Sequence, residues 1–289
     1  MDIQTNVIKE ALEFYNIQDT EYIEKCYECI EFINKNTNIK IKIHELFNIL
    51  YIDKNSQLSQ LWKIKNIDEL FGEDCHPFIT NILLLSSYKK HLYNIEKYKL
   101  DKQQCNIHKK RVKEALTNDI YQRNYNGIRI SQMLWGTYFI NLRLIEVGRL
   151  QYEFCKNNPM TNKEELCIKI HIPSDKKLDS TEVKKSLNES KNLIKRYFKL
   201  DNPKYYCDSW LLSNQIRDLL PQDSNIAKFQ DMFDIKETEE CIDNILNFVY
   251  NIRNSDNYNK LAEDTSLQRK IKKYILEGKS IKGGIGILK

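Results

Sequence analysis

The chain has 289 residues, of which 41% are hydrophobic, and its 45 Lys and Arg residues exceed its 40 Asp and Glu residues to give a net charge of +5. This length is enough to bury a sizeable core in one large domain or two ordinary ones. The basic residues are spread through a sequence rich in Lys, Asn and Ile, so the small positive charge does not favour nucleic acid as a partner.

No apolar run approaches the ~20 residues of a membrane helix, and the first ten residues, MDIQTNVIKE, lack the pattern of a signal peptide. The eight cysteines are scattered along the chain, which predicts reduced thiols rather than a disulfide framework. We therefore expect a cytoplasmic protein without a membrane partner. No internal repeat is found, which excludes repeat arrays.

The first part of the sequence predicts helices, because apolar residues recur there at three- and four-residue intervals. The segments with this spacing are residues 7–17, 22–33, 43–51 and 58–71. Pro77 precedes a long apolar run and suits the first turn of a helix, which we expect to continue beyond His91 and to be the longest. One more apolar helix is expected at residues 130–141.

The turn-forming residues 124–127, ending in Gly127, mark the expected domain boundary. They divide the chain into a helical N-terminal domain, residues 1–126, and a second domain, residues 127–289. Within the first domain, the segment 89–113 has nine basic residues against two acidic ones. A solvated helix face is the favoured interpretation, and a helix that binds nucleic acid is the alternative.

The second domain mixes strands with helices. Residues 144–154 alternate between apolar and polar side chains, as a half-buried strand does, and residues 167–172 form a short apolar run that Pro173 stops. The segment PMTNKEE, residues 159–165, lies between them. The two strands are therefore expected to form an antiparallel hairpin.

A second pair of strands is predicted around a helix. Asp179 or Ser180 offers an N-cap to an amphipathic helix that should end near Leu200. Residues 205–212, YYCDSWLL, have the aromatic and apolar composition of a strand. Strand, helix and strand predict a parallel pair joined by a right-handed crossover.

Three elements are predicted towards the end of the chain. Residues 245–252 resemble an apolar strand, residues 267–276 a basic amphipathic helix, and the last residues, from Ile285, a final strand. With about five strands after an all-helical first part, the predicted fold class is α+β.

Motifs for a metal, a nucleotide or a serine nucleophile are weak. Cys26 and Cys29 have the spacing of metal ligands but lie within an amphipathic helix, and no second pair follows at the spacing of a zinc finger. The glycines at 283, 284 and 286 do not open a helix, as a phosphate-binding loop would. Ser209 lacks the flanking glycines of a nucleophile elbow. We expect no bound metal.

Four ordered motifs are similar to those of bacterial acyltransferase-domain proteins. These motifs are GRLQY at 148–152, HIP at 171–173, CDSWLL at 207–212 and LPQDSNI at 220–226, with Phe229 and Phe233 after them. The likeness covers roughly residues 128–289. In that family, a C-terminal domain of the GNAT-like N-acyltransferase group follows an all-helical N-terminal domain.

The resemblance implies a mixed sheet, flanked by helices, that splays between two central strands. Here those strands would be residues 167–172 and 205–212, and the pantetheine arm of an acyl-CoA would lie along the strand edge. The implied activity is transfer of an acetyl or other acyl group from acyl-CoA to a small-molecule or peptide amine by direct attack. His171 and Ser209 are then expected to be neighbours at the carboxyl ends of the strands.

Direct attack on a thioester needs a base for the amine and a partner for the departing thiolate. His171 is the candidate base, since its ordinary pKa lies near neutrality. A structural histidine bound to the backbone is the alternative. Ser209 is the candidate thiolate or carbonyl partner, and a strand serine satisfied by the main chain is its alternative.

The expected CoA contacts follow the first strand of the pair. They are Ile172, Pro173, Lys176, Lys177 and Ser180. Positive charge and the free N–H groups of a helix N-terminus attract a pyrophosphate. GNAT enzymes usually carry a glycine-containing loop at this position, whereas residues 174–178 contain no glycine.

Three further residues are candidates for substrate contact. Cys207 could act as a covalent nucleophile, but a thiol in an apolar strand is more often inert packing. Trp210 could form a pocket wall or part of the core. Asn225 could contact a polar substrate or open the helix that carries Phe229.

A second class of function stays open. In this alternative, a degenerate GNAT-like domain binds a ligand or a protein partner without catalysis. The glycine-free loop 174–178 supports this interpretation. The sequence does not give the oligomeric state, the acceptor or the acyl length.

Overall fold

The computed structural model describes residues 3–51, 58–64, 66–159, 163–252 and 255–289. The chain divides into two compact units, Met1–Ile145 and Glu146–Lys289. Among the helices of the described ranges, none combines the length and the apolar character needed to cross a lipid bilayer.

The first unit is helical. Its helices are α1 Thr5–Phe14, α2 Thr20–Lys35, α3 Thr37–Tyr51, α4 Leu58–Leu61, α5 Asp68–Phe71, α6 Ile79–Ser86, α7 Tyr88–Lys97, α8 Lys102–Arg123 and α9 Ile130–Ile140. Their apolar faces form one buried core that includes Ile8, Ile33 and Phe139. The expected all-helical first part is therefore confirmed, and residues 52–57 and 65 lie outside the described ranges.

The helix predicted from Pro77 is not the longest. It forms two helices, α6 and α7, because Ser87 interrupts the ladder: its Oγ donates to the Leu84 carbonyl at 2.5 Å, and its N–H donates to the same oxygen at 3.3 Å. The longest described helix is α8, with 22 residues. Side-chain bonding by a serine to its own helix is a local effect that apolar spacing does not reveal.

The division between the units lies further along the chain than Gly127. The residues Met133, Leu134 and Phe139 of α9 are fully buried in the core of the helical unit. Gly127 adopts φ +97°, and a Cβ there would clash with the carbonyl oxygen of Pro77. The glycine thus permits a close turn inside the first unit.

Two buried histidines lie in the helical core. The Tyr15 hydroxyl and His91 Nδ1 are 3.0 Å apart, and His108 Nδ1 lies 3.2 Å from the carbonyl oxygen of Phe139. The Nε2 atom of each ring is buried without a hydrogen-bond partner in the described part of the chain. Burial lowers the pKa of His108 to about 4, and burial with the charge of Lys109 lowers the pKa of His91. Both rings are neutral in the folded unit at neutral pH.

We expect the helical unit to lose stability in weak acid. A histidine with a depressed folded-state pKa stabilises the fold fully above its ordinary pKa of about 6.5, and this contribution falls as the pH drops towards 4. For His108 the loss between pH 7 and pH 5 is about 2 kcal/mol. Urea unfolding of H108Q should show a pH dependence weaker by that amount. The exposed His44 is the control, so the free energy of unfolding of H44Q should match that of the wild type at each pH. If the free energy of unfolding of H108Q depended on pH as strongly as that of the wild type, His108 would not be the cause of the loss.

The second unit contains a mixed sheet with helices. The helices are α10 Ser180–Phe198, α11 Asn214–Leu219, α12 Asn225–Gln230, α13 Ile242–Val249 and α14 Ser266–Leu276; 3-10 helices cover Trp210–Leu212 and Tyr258–Lys260. The strands are β1 Leu144–Val147, β2 Leu150–Asn158, β3 Lys163–His171, β4 Lys204–Ser209, β5 Phe233–Glu240 and β6 Lys282–Leu288. Strand β1 spans the division, since its first two residues, Leu144 and Ile145, belong to the first unit.

The strand order is β1-β2-β3-β4-β6-β5. Strands β2 and β3 pair antiparallel, β3 and β4 parallel, and β6 pairs antiparallel with both β4 and β5. The predicted hairpin, the parallel pair around α10 and the α+β class are confirmed. Residues 160–162 of the hairpin connection lie outside the described ranges.

Several predicted strands differ from the observed elements. Residues 144–154 form two strands, because Gly148 turns the chain at φ +58°. Residues 245–252 are not a strand, since α13 occupies Ile242–Val249; a short apolar run does not distinguish a strand from a buried helix. Strand β5 was not predicted, because most of its side chains are exposed and polar.

The glycines of β6 are explained by packing. A Cβ on Gly284 would clash with the main chain of Leu212, in the 3-10 helix that follows β4. We expect G284A to destabilise the fold by about 1–3 kcal/mol, the usual range for overpacking. G283A is the control, because its Cβ would meet the movable Thr238 hydroxyl. Equal thermal midpoints for the two variants would contradict this explanation.

Candidate active site

The parallel strands β3 and β4 part before they end. Their pairing runs from Cys167 beside Lys204 to Lys169 beside Tyr206. Strand β3 continues to His171 and β4 to Ser209. Strand β3 still pairs with β2 at His171, opposite Gln151, and β4 still pairs with β6 at Ser209, opposite Gly284, so the sheet opens between β3 and β4. The predicted splay between the two central strands is confirmed.

The register assigns the side chains to the two faces of the sheet. Residues directly opposite each other share a face. Gln151 pairs with His171 and Glu153 with Lys169, and Asp208 lies two residues beyond Tyr206, the partner of Lys169. We call the surface formed by Gln151, Glu153, Lys169, His171 and Asp208 the polar face.

Helix α10 covers the opposite face. The Tyr152 hydroxyl lies 2.8 Å from Ser186 Oγ, and the Tyr205 hydroxyl lies 3.4 Å from Ser190 Oγ. Ile170 is also buried. This apolar side is packed core, so the chemically active groups at the splay lie on the polar face.

His171 is held by a carboxylate. Its Nε2 lies 2.7 Å from Glu153 Oε2, and the side chains of His171 and Glu153 are 22% and 7% exposed. A neutral imidazole that donates Nε2–H to this carboxylate has its lone pair on Nδ1. Burial lowers the pKa of His171, and the hydrogen bond that Nε2–H donates to Glu153 opposes that effect. The imidazole is therefore neutral near pH 7 and can accept a proton.

An ion pair crosses the splay beside this histidine. Lys169 Nζ on β3 lies 3.1 Å from Asp208 Oδ2 on β4. Burial alone would lower the pKa of Lys169, but Asp208 outweighs it and raises the pKa. The polar face thus holds a neutral base and a fixed cation side by side.

Ser209 and Cys207 do not lie beside His171. Strand alternation from Tyr206 turns both side chains to the face covered by α10. Ser209 Oγ accepts from the Leu211 N–H at 3.2 Å, which caps the 3-10 helix. Cys207 is fully buried, and burial raises its pKa to about 12. The thiol is packing rather than a nucleophile.

Trp210 and Asn225 begin helices. Trp210 is the first residue of the 3-10 helix after β4 and packs against the small apolar core around Ile245. Asn225 is the first residue of α12, and the cap is Ser224, whose Oγ accepts from the Ala227 N–H. Both positions have structural roles that the sequence analysis had named as alternatives.

The loop after β3 is held by Arg149, which lies in the turn just before β2. The nearly buried Arg149 donates to the carbonyls of Lys177 and Lys176 at 2.7 and 2.8 Å. Both lysine side chains are exposed, and Ile172, Pro173 and Ser180 are half-buried. The Lys176 ammonium donates to the carbonyl oxygen of Gly148 at 3.5 Å, and both lysines precede α10 by a few residues.

The N-terminus of α10 already binds a carboxylate. Asp179 accepts from the N–H groups of Thr181 and Glu182 at 2.9 and 3.1 Å. A pyrophosphate at this helix end would compete with Asp179, so the phosphate site expected here depends on Lys176 and Lys177.

Glu153, Lys169, Asp208 and Arg149 were not predicted as site residues. Glu153 and Lys169 were visible only as charges at alternate positions of apolar strands. Such charges are rarely buried without a partner. Within the described ranges, no group of three or more His, Cys, Asp or Glu residues is placed to bind a metal ion.

Three solved acyltransferase structures share the fold of this chain. An acyltransferase mutant in complex with octanoyl-CoA has a TM-score of 0.74 at 15% identity, covering 100% of this chain and 89% of that one. An acyltransferase in complex with decanoyl-CoA and teicoplanin has a TM-score of 0.71 at 15% identity, covering 97% and 87%. A third, with CoA and 10C-teicoplanin, has a TM-score of 0.65 at 17% identity, covering 76% and 68%. At these identities the likeness shows the shared fold.

A search of curated protein sequences gave no significant match. The sequence profile described as "GNAT-like C-terminal domain" matches residues 144–288. This range contains the splayed sheet and all the motifs that suggested the resemblance. The chain therefore belongs to the family of proteins with a GNAT-like C-terminal domain.

Proposed function

We propose that the protein transfers an acyl group from an acyl-CoA thioester to an amine by direct attack, with His171 as the general base. The observation that carries this proposal is the contact between His171 and Glu153 at the point where β3 leaves β4. A neutral, carboxylate-oriented imidazole at the end of a splayed strand is suited to take a proton from an incoming amine.

The mechanism needs no covalent enzyme intermediate. The amine nitrogen attacks the thioester carbon, and His171 Nδ1 takes the proton that the nitrogen loses. Glu153 then stabilises the resulting imidazolium through its hydrogen bond to Nε2. Ser209 and Cys207 are left out of this step, because their side chains lie on the face of the sheet covered by α10.

The acyl donor is proposed to carry a medium-length chain. Structural relatives form complexes with octanoyl-CoA and decanoyl-CoA. The pantetheine arm would lie between the diverging ends of β3 and β4, near Ile172 and Pro173, which follow β3. Lys176, Lys177 and Ser180 would contact the pyrophosphate. Exposed ammonium groups can supply this attraction without a glycine loop.

The acceptor is proposed to be a small molecule with a primary amine. Two relatives form complexes with teicoplanin or 10C-teicoplanin, which supports a small-molecule acceptor over a protein. Trp210 and Asn225 stay as proposed substrate contacts; Trp210 directly follows β4, and Asn225 begins α12.

Calorimetry with decanoyl-CoA and a thiol-release assay test the proposal together. We expect saturable binding of decanoyl-CoA and release of CoA thiol when butylamine is supplied as a generic acceptor. A protein that neither binds decanoyl-CoA nor releases thiol would contradict it.

A non-catalytic binding module is the second candidate. The observations that favour it are the glycine-free loop and the Asp179 carboxylate at the N-terminus of α10. This candidate predicts binding of a ligand without thiol release. The same pair of measurements therefore distinguishes the two functions.

A further inference from the structure

The proposed reaction requires a partner for the thiolate that leaves. The charge that develops on sulfur needs a donor or a cation close by. Ser209 does not meet this need, because its Oγ accepts from Leu211 N–H on the face opposite His171. The partner has to come from the polar face, where His171 takes the amine proton.

Lys169 is the cation that lies beside His171 on that face. It lies two residues before His171 on β3, so strand alternation places both side chains on the same side of the sheet. It is the last residue of β3 paired with β4, and the splay begins directly after it. Its Nζ is held 3.1 Å from Asp208 Oδ2 on the opposite strand, and its side chain is 23% exposed.

We propose that the Lys169 ammonium stabilises the departing CoA thiolate. The inference rests on the proposed acyl transfer and adds a catalytic residue to it. Asp208 acts as a positioning residue, because its carboxylate draws the flexible lysine side chain across the mouth of the splay. Held there, the cation faces a thioester that lies between the strands and needs no rearrangement during the reaction.

Atoms and charge are conserved in the transfer. The amine nitrogen forms a bond to the acyl carbon, and its proton goes to His171. The carbon–sulfur bond breaks, and its electron pair goes to sulfur, which leaves as a thiolate paired with the Lys169 ammonium. His171 returns its proton to solvent, and the thiolate takes up one proton there to give CoA thiol. Lysine keeps its charge throughout.

The test compares leaving groups. With decanoyl-CoA and butylamine, K169M should lower kcat about 10²-fold, the usual effect of removing one group that stabilises transition-state charge. The loss should be much smaller for the decanoyl thioester of 4-nitrothiophenol, whose thiolate is stable without help, than for that of N-acetylcysteamine. K169R keeps a cation and the pair with Asp208, so its kcat should stay within about tenfold of the wild-type kcat.

Lys204 provides the matched control. It lies on β4 on the same face, beside Cys167, and pairs with Glu165 at 3.3 Å. K204M should leave all rates unchanged. Equal losses of K169M on both small thioesters, or K169R as slow as K169M, would overturn the assignment to Lys169. A wild type that releases no thiol from decanoyl-CoA would instead contradict the proposed function itself.

Discussion

Replacing His171 with glutamine is expected to lower kcat for acyl transfer by about 10²- to 10⁴-fold, the range that a general base contributes. Glutamine keeps a polar side chain that can bond to Glu153, so the buried carboxylate stays hydrogen-bonded. Binding of decanoyl-CoA should change little, because the ring is expected to act on the amine. The measurement is kcat by thiol release, with binding by calorimetry.

The control for this variant is H44Q, since His44 is exposed on α3 in the other unit. H44Q should show wild-type kinetics. If H171Q kept full activity, His171 would be a structural histidine, the alternative that the sequence left open. A loss of binding with unchanged kcat would also contradict the role as base.

Glu153→Gln should both slow the reaction and shift its pH dependence. Burial lowers the pKa of His171, and the hydrogen bond that its Nε2–H donates to Glu153 partly restores it. The wild-type rate should therefore fall on the acid side only below about pH 6.5. Without the carboxylate the pKa falls further, so the acid limb of E153Q should lie at lower pH. The maximal rate of E153Q, above its acid limb, should be lower by as much as about 10²-fold. The reason is that an amide no longer fixes one tautomer of His171 or stabilises the imidazolium.

Glu165 supplies the comparison for Glu153. It also lies on the hairpin, but pairs with Lys204 rather than with a histidine. E165Q should keep the wild-type acid limb. An acid limb of E153Q at the wild-type position, or above it, would show that Glu153 does not act on the titration of His171.

The sequence predicted the strands that carry the site better than the side-chain contacts between those strands. His171 was found because it ends a short apolar run that a proline stops. Glu153 was missed because its contact depends on the register of β2 against β3, with Glu153 opposite Lys169. Registers are set by pairing over the whole hairpin, and a single sequence carries little of that information.

Ser209 shows how one residue changes a prediction. The composition of residues 205–212 correctly indicated a strand, and β4 covers its first part. The pairing of Lys169 with Tyr206 fixes the face of the sheet on which each side chain of β4 lies. A pairing shifted by one residue would have placed Ser209 on the same face as His171. The end of the strand was also hidden, since Ser209 turns its hydroxyl to the Leu211 N–H.

The remaining errors concern α13 and β5. They arise because the periodicity of a short segment does not show how far the folded protein buries it. Helix α13 was predicted as a strand because its apolar run is short and packs into a small separate core around Ile245. Strand β5 is mostly exposed, so its sequence, FDIKETEE, has little of the apolar alternation that marks a strand. Tertiary context decides such segments.

A crystal structure with decanoyl-CoA tests the central claim most directly. We predict that the thioester lies between β3 and β4 on the polar face. We also predict space for an amine nitrogen within hydrogen-bond reach, about 3 Å, of His171 Nδ1. A thioester bound elsewhere, or on the α10 side of the sheet beside Ser209, would contradict the assignment of His171 as the base.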